Sequence, residues 1–221
     1  MHFLMTQHFT NISAVQFERD LDEKDWVVII QTDDLAIQGF TTLKQLELED
    51  EGERILAFYS GDTILSPDYW GERGWLSTWS RHVFLSAEKY PDATSYWILL
   101  TATHRTYQFL PAFFHEFFPN EEHPTPAREK RILDTFVRMK FPKEYDAEHG
   151  IVTLLDATPV RRPDEVESMV PLEDKYAKYF IQLNPGYLNG NFLACMTRID
   201  RSNVTRLGWR VLGELPPLAG A

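Results

Sequence analysis

The sequence has 221 residues, of which 43% are hydrophobic and 14% aromatic, a composition typical of a globular protein with a large aromatic core. The formal net charge of −11 argues against nucleic acid or an anionic membrane surface as partner, because both attract basic proteins. The single cysteine, Cys195, excludes an internal disulfide and a cysteine-rich zinc site.

No apolar run approaches the length of a membrane span, and the N-terminus lacks the basic start and apolar stretch of a signal peptide. We therefore expect a cytoplasmic protein without a membrane span. Most of the excess negative charge lies in the first 60 residues. An anionic ligand is therefore expected to contact the later part of the chain.

Three strands are predicted first along the chain. Residues 26–32 form a nearly continuous β-branched run, which is typical of a strand covered on both faces. Residues 35–48 form a long second strand, in which the apolar positions change from odd to even numbers and so predict a bulge near Gly39. Residues 54–65 form a third strand that is interrupted around Gly61.

A helical pattern follows these strands, and further strands and helices alternate after it. An apolar stripe predicts a helix within residues 68–89. The later predictions are a strand at 96–100, a helix with Tyr107, Leu110, Phe114 and Phe117 inward, a helix at 127–140, a helix around 176–180, and strands at 151–155 and 191–199. This order predicts a mixed α/β fold with a central, mostly antiparallel sheet and helices on both faces.

The junction between the third strand and the first long helix, residues 65–75, reads LSPDYWGERGW. The first turn of a helix has unpaired backbone N–H groups and the positive end of the helix dipole, and glycines there let an anion approach closely. The segment therefore predicts a phosphate or pyrophosphate site. A strand-to-helix turn that needs glycine at its bends explains the pattern as well.

Leu65, Pro67, Tyr69 and Gly71 resemble the acyl-CoA-binding motif of the GCN5-related N-acetyltransferase (GNAT) superfamily, which leads from its fourth strand into its third helix. The order of elements over residues 26–118 is similar to that superfamily. A bacterial branch of the superfamily is resembled by the motif at 69–71, the segment Phe113 to Pro119, the linker at 123–126 and the turn at 184–186. Relatives in that branch include maturases that place fatty acyl groups on peptide side chains. The resemblance implies one acyltransferase-like domain over 1–221, with its core at 26–118 and its acceptor side completed by 127–213.

The resemblance also implies acetyl-CoA or another acyl-CoA as co-substrate, without a metal. The donor-binding residues that it implies are Leu65, Ser66, Trp70, Gly71, Glu72, Arg73, Gly74 and Thr103. Backbone N–H groups between Gly71 and Gly74 would hold the pyrophosphate, and Arg73 would add positive charge. The motif departs from the superfamily pattern at Trp70, where Gln or Arg is usual, and at Arg73 and Trp75, where glycines are usual.

Three side chains are candidates for proton transfer. Asp62 lies in the interrupted strand, where it would accept a proton from an acceptor ammonium or serve as a hydrogen-bonded turn residue. Leu110 stands where the superfamily places a tyrosine that protonates the thiolate. Tyr107, one turn earlier, is either its substitute or a core aromatic. His104 is a third candidate, and its position also suits a polar residue at a helix start.

The function implied is N-acyl transfer, of acetyl or a longer fatty acyl group, from a CoA or carrier-protein thioester to an amine of a small molecule or peptide. Backbone N–H groups of the third strand would hold the oxyanion. Several aromatic side chains either line an acyl tunnel or form a large core: Tyr59, Tyr69, Trp70, Trp75, Trp79, Trp97, Tyr107, Phe113 and Phe114.

Two other functions are compatible with the same residues. One is a non-catalytic acyl-CoA-binding sensor or interaction module of the same fold. The other is a synthase that uses an acyl carrier protein, which is acidic and would need a basic docking surface. The basic side chains of one predicted helix either form that docking surface or simply face solvent: Arg128, Lys130, Arg131, Arg138 and Lys140.

Overall fold

A computed structural model describes residues 1–9, 12–69, 74–154 and 174–218. Eight strands form one sheet: β1 (Trp26–Gln31), β2 (Ile37–Asp50), β3 (Glu53–Leu65), β4 (Ala93–Thr101), β5 (Phe117–Phe118), β6 (Tyr145–Asp146), β7 (Ile151–Thr153) and β8 (Asn191–Arg198). Their order is β1-β2-β3-β4-β8-β7-β6, and β5 pairs with β8. Within the described ranges β3 and β4 are parallel, and every other pair of neighbouring strands is antiparallel.

Helices cover both faces of this sheet. They are α1 (His2–His8), α2 (Ala14–Asp22), α3 (Gly74–Ala87), α4 (His104–Tyr107), α5 (Phe109–Phe113), α6 (Ala127–Lys140), α7 (Lys175–Leu183) and α8 (Arg206–Leu212). Residues of α3, α7 and α8 share one core with β4 and β8, and residues of α6 form a second core on the opposite face. A smaller core joins α1 and α2 to β2 and β3. The predicted architecture, a mostly antiparallel mixed sheet between helices, is confirmed.

The helix α6 shows how an apolar pattern determines packing. Ile132, Leu133, Phe136 and Val137 lie on one face of this helix, and all four are buried against the sheet. Burying a side chain of this size stabilises a fold by roughly 1.5–3 kcal/mol relative to leaving it exposed. The predicted bounds, residues 127–140, are those of the structure.

Two β-bulges interrupt the long strands. The register between β1 and β2 shifts next to Gly39, as the change of parity predicts. The register between β2 and β3 shifts where Thr41 pairs with Thr63 and Leu43 pairs with Ser60, so two residues of β3 face one residue of β2. This second bulge lies at the predicted interruption around Gly61.

The helix predicted to carry Tyr107 through Phe117 is instead divided into α4 and α5, and Phe117 belongs to β5. Pro111 has no N–H to donate to the carbonyl of Tyr107, so a continuous helix is disfavoured, and the proline falls in the first turn of α5. Phe114 is then extended and forms a bridge with Val204.

Three helices, α1, α2 and α8, were not predicted, because their apolar patterns are short. Residue 155 of the predicted strand 151–155 lies outside the described residues. In the part of the chain that the structure describes, no helix has both the length and the apolar character needed to cross a membrane.

Candidate active site

The parallel strands β3 and β4 separate at the bulge of β3. They pair from Arg54 opposite Ala93 as far as Ser60 opposite Leu99. Beyond that point residues 61–65 continue beside β2, and β4 continues beside β8. Because a bulge bends its strand and increases the local twist, it opens a gap between the two strands. On the side facing β4, residues 61–64 have no paired strand among the described residues.

A cavity of about 200 Å³ occupies this gap. Residues 60–64 of β3 line one side, and the aromatic rings of Trp79 and Trp97 line another. These two rings belong to the core beneath α3, whereas Leu100 and Phe192, which also line the cavity, pack with the core beneath α6. The cavity therefore lies between the separating strands and reaches both faces of the sheet.

A hydrogen bond fixes the wall of the cavity at its narrow end. The indole Nε1 of Trp97 donates to Ser60 Oγ at 2.8 Å. The ring of Trp97 also packs against Trp79, with 4.6 Å between centroids. Ser60, the last residue of β3 that pairs with β4, is thereby held against the rings of Trp97 and Trp79.

Asp62 borders the cavity and is half-buried. Burial raises the pKa of its carboxyl above the ordinary value, the ammonium of Lys24 opposes that rise, and the carboxylate of Asp20 adds to it. A carboxylate whose pKa is raised in this way is better matched to accept a proton from an ammonium than an exposed aspartate is. The structure therefore places a carboxyl group of raised pKa at the cavity.

Lys24 lies beside this carboxyl, and sequence reasoning did not identify it. Its side chain covers the bulge: a Cβ atom added to Gly61 would lie 2.9 Å from Lys24 Cε and 3.4 Å from Nζ. That same position is 2.4 Å from Thr42 Oγ1, a buried hydroxyl with no hydrogen-bond partner in the structure. Between Glu23 and Asp25, Lys24 is typical of a solvated turn, so its local sequence gives no signal of this position.

Electrostatics couple Lys24 to Asp62. Burial lowers the pKa of the Lys24 ammonium, and the positive charge of Lys140 lowers it further. The carboxylates of Asp62, Asp20 and Glu23 oppose this shift. The bulge thus brings together an amine with a lowered pKa and a carboxyl with a raised one.

The structure does not place Tyr107 at the cavity. Its side chain is fully buried, packs against Phe117 and Phe180, and donates its hydroxyl to the carbonyl oxygen of Pro119 at 2.7 Å. Burial raises the pKa of this hydroxyl far above its ordinary value. The core alternative for Tyr107 therefore fits its surroundings, and the proton-donor role does not, because the hydroxyl is held away from the cavity.

The other predicted residues of this segment differ in position. His104 is buried at the first residue of α4 and does not line the cavity. Thr103 Oγ1 lies 3.5 Å from Thr106 Oγ1, and Thr106 lines the cavity. Thr106 is thus the polar residue by which this segment reaches the gap, and Thr103 lies next to it.

The expected donor-binding loop is described only at its two ends. Leu65 ends β3, and the backbone N–H of Ser66 donates to Gln38 O at 2.8 Å. Gly74 is the first described residue of α3 and is exposed, and no atom of the described residues lies within 4 Å of the position a Cβ would occupy. The expected contacts at Trp70, Gly71, Glu72 and Arg73 lie outside the described residues.

Only part of the aromatic set lines the cavity. Trp75, Trp79 and Trp97 do so, together with Phe109 and Phe192, which were not predicted. The other described members of the predicted set do not line it: Tyr59, Tyr69, Tyr107, Phe113 and Phe114. The predicted residue Trp70 lies outside the described residues. The aromatic richness is therefore divided between the cavity wall and the core.

The basic side chains of α6 contact acidic partners. Arg131 Nε lies 2.8 Å from Asp50 Oδ1, and Arg128 pairs with Glu53. Lys130 pairs with Asp134, one turn along the same helix, at 2.6 Å, and Lys140 pairs with Glu23 at 2.6 Å. Most of the positive charge predicted for a carrier-protein surface is therefore neutralised within the protein.

Comparison with known proteins gives distant structural likenesses. No protein-family model matches the sequence, and no curated protein matches it. One similar structure is a probable N-acyltransferase from Enterococcus faecalis, with 19% identity and a TM-score of 0.37 over 52% of this chain. Another is a mutant of the toxin AtaT bound to acetyl-CoA and the antitoxin AtaR, with 18% identity and a TM-score of 0.27 over 35% of this chain. The matches span 28% and 52% of those two proteins.

Proposed function

We propose that the protein is an N-acyltransferase that moves a short acyl group from a CoA thioester to an amine of a small molecule or peptide. The observation that supports this most directly is the separation of β3 and β4 beyond Ser60, which leaves a cavity bordered by Asp62. Amide formation from a thioester needs an activated acyl carbon next to a base. The gap provides space for the acyl carbon beside the carboxyl group of Asp62.

The unpaired side of β3 suits the donor. Among the described residues, 61–64 have no paired strand on the side toward β4, so the amide-containing arm of CoA can hydrogen-bond to their backbone N–H and C=O groups as an added strand would. Bound in this way, CoA supplies an acyl carbon activated as a thioester. The pyrophosphate is assigned to the start of α3, where Gly74 leaves open space for an anion. Leu65, Ser66 and the contacts at 70–73 remain part of this proposal.

The size of the cavity favours a short acyl group. Its volume of about 200 Å³ is below the roughly 300–1,000 Å³ of sites that enclose drug-sized ligands. Rigid aromatic rings of Trp75, Trp79 and Trp97 form much of its wall. These features support acetyl or a similarly small group, and they give no support to a long fatty acyl chain.

Asp62 is assigned the role of base. Its carboxylate accepts a proton from the acceptor ammonium, and the resulting amine attacks the acyl carbon. Backbone N–H groups of residues 61–65 that face the gap stabilise the negative charge on the carbonyl oxygen. The acceptor reaches Asp62 from the face that carries Leu100 and Phe192, opposite the tryptophan wall.

CoA is favoured over an acyl carrier protein as donor. A carrier protein is acidic and docks through positive side chains, but Arg128, Arg131 and Lys140 already pair with acidic residues of this protein. Separating such pairs removes part of the electrostatic gain from docking.

Non-catalytic binding of acyl-CoA is the second candidate function. The position of Tyr107 favours it, because the hydroxyl that the sequence suggests for thiolate protonation is bonded to Pro119 in the core. The two functions differ in turnover and share donor binding.

Calorimetry with CoA, acetyl-CoA and a long-chain acyl-CoA, followed by a thiol-release assay with a panel of amines, tests the proposal. We expect acetyl-CoA to bind and thiol release to depend on an added amine. Binding without amine-dependent release would establish the non-catalytic function. The absence of binding by every donor would refute both.

A further inference from the structure

The side chain of Lys24 covers the point at which β3 and β4 separate. We propose that Lys24 is itself an acyl acceptor, so that the protein transfers an acyl group from its bound thioester to Lys24 Nζ. This inference rests on the proposed function, since it requires a thioester donor in the gap. It assigns a modification site outside the residues that bind the donor.

The position of the amine carries the inference. A Cβ atom at Gly61 would lie 2.9 Å from Lys24 Cε and 3.4 Å from Nζ, so the end of the lysine side chain packs directly on the bulge. Gly61 and Asp62 line the cavity from within. The amine of Lys24 therefore lies next to a residue that lines the cavity to which the proposed function assigns the acyl carbon.

The surroundings of Lys24 favour the reactive form of the amine. Burial and the nearby ammonium of Lys140 lower the pKa of Lys24, so a larger fraction is neutral than for a solvated lysine. The pKa of Asp62 is raised by burial, which suits this carboxylate to receive the proton that the amine loses. A nucleophile and a proton acceptor thus lie together at the bulge.

The proposed step balances as an ordinary aminolysis. Neutral Lys24 Nζ forms a bond to the acyl carbon of the CoA thioester, and the carbon–sulfur bond breaks. CoA leaves as the thiolate, while the proton lost from nitrogen passes to the carboxylate of Asp62 and then to the thiolate. The products are an ε-N-acyl-lysine and free CoA, and the positive charge beside Asp62 is lost.

Two neighbouring lysines provide matched controls. Lys44 Nζ donates to the backbone carbonyl of Glu23 at 2.6 Å, and Lys140 Nζ pairs with the carboxylate of Glu23 at 2.6 Å. Both belong to the same charged region, but their amines are held by Glu23, and neither supplies one of the three atoms nearest to the Cβ position of Gly61. Acylation by the bound donor should therefore distinguish Lys24 from both.

The test is incubation of the folded protein with acetyl-CoA, followed by intact-mass measurement and peptide mapping. We expect one acetyl group on Lys24, formed at least about tenfold faster than on Lys44 or Lys140, because only Lys24 reacts within the complex. The Lys24→Arg variant should lose this modification, and the Lys44→Arg variant should retain it. Circular dichroism of both variants verifies that they are folded.

Three outcomes would overturn the inference, and they separate it from the proposed function. If Lys24 stays unmodified while acetyl-CoA binds and an added amine is acylated, self-acylation is refuted and the proposed function stands. If the three lysines react at equal rates, or if urea-unfolded protein reacts as fast as folded protein, the lysines are acylated non-enzymatically by acetyl-CoA in solution, and the inference is refuted. If no donor binds, the proposed function fails and this inference fails with it.

Discussion

A carboxyl group in a half-buried gap lowers the stability of the fold, since burial disfavours its ionised form. Asp62 occupies such a position at the bulge of β3, next to a cavity and an amine. A residue that served only to complete a turn would gain nothing from this environment. The placement is consistent with a task that needs a carboxylate of raised pKa.

The variant Asp62→Asn tests that task. We expect kcat to fall by about a hundredfold to ten-thousandfold with nearly unchanged donor affinity, because the amide keeps the shape but does not accept the proton. Burial raises the pKa of Asp62, so activity of the unchanged protein should decline with falling pH at a higher pH than for an exposed aspartate.

The defect of Asp62→Asn should shrink as pH rises, because more of the acceptor amine is already neutral. Measuring kcat across pH for both proteins shows this convergence directly. Normal turnover of the variant with a confirmed acceptor would assign the base role to water or another residue.

Tyr107→Phe separates a core role from a catalytic one. The substitution removes a hydroxyl that donates to the partly buried carbonyl of Pro119, so we expect the free energy of unfolding to fall by about 0.5–1.5 kcal/mol. Turnover should be unchanged, since the ring does not line the cavity. Urea unfolding and steady-state kinetics provide the two readouts. A strong loss of turnover at unchanged stability would return Tyr107 to the acid role.

Gly61→Ala tests how tightly the bulge is packed. The added methyl group would lie 2.4 Å from Thr42 Oγ1, so we expect destabilisation of about 1–3 kcal/mol from overpacking. Thr42→Ala removes that oxygen, which has no hydrogen-bond partner to lose. The double variant should therefore be more stable than the sum of the single effects predicts. Additive effects in urea unfolding would show that the contact does not limit this position.

The residues of the site were predictable to different degrees. Asp62 could be found because an acid after a glycine interrupts an otherwise apolar strand, which is a local signal. Lys24 and Thr42 could not be found, because their approach to Gly61 depends on how α2 and β2 pack beside β3. The sequence left Tyr107 with two possible roles, since a buried tyrosine with a bonded hydroxyl and a catalytic tyrosine have the same local pattern.

At the scale of elements, prediction was accurate where the apolar pattern was clear. The helix α6 was identified from its helical apolar period and β2 from its alternating apolar positions, whereas β1 was identified from a nearly continuous β-branched run. Prediction failed over residues 104–118, where the apolar spacing fits one helix but Pro111 removes a hydrogen-bond donor. Backbone chemistry therefore outweighed the side-chain pattern in that segment.

The start of α3 allows a test of the donor site within the described chain. In Gly74→Ala the new methyl group meets open space, and alanine favours a helix over glycine by up to about 1 kcal/mol, so stability should be equal or higher. Donor affinity should fall, because a side chain there narrows the approach of a phosphate to the backbone. Ser77→Ala, further along the same helix, is the control. Unchanged affinity in calorimetry would show that Gly74 is not needed by the donor.

At the scale of the whole molecule, the sheet separates two chemical environments. The face beneath α3 contributes tryptophans to the cavity, and the opposite face contributes Leu100 and Phe192 beside Asp62. The N-terminal helices pack on β2 and β3 and bring Asp20 and Lys24 close to Asp62. The acidic first part of the chain therefore belongs to the side assigned to the acceptor amine, which is consistent with a cationic acceptor.

Selectivity for acyl length is expected from the small cavity that Trp75, Trp79 and Trp97 line. At a hundredfold excess over Kd, a bound donor stabilises the folded state by about 2.7 kcal/mol, so acetyl-CoA should raise the melting temperature. A long-chain acyl-CoA should raise it no more than CoA does, because about 200 Å³ cannot enclose the chain. Trp75→Ala widens the wall at a partly exposed position and should admit longer groups, whereas Trp209→Ala, away from the cavity, should not. Thermal melts of the unchanged protein and both variants with acyl-CoA donors of increasing chain length measure this selectivity. If the long-chain donor stabilised the unchanged protein more than CoA does, the proposed size limit would be contradicted.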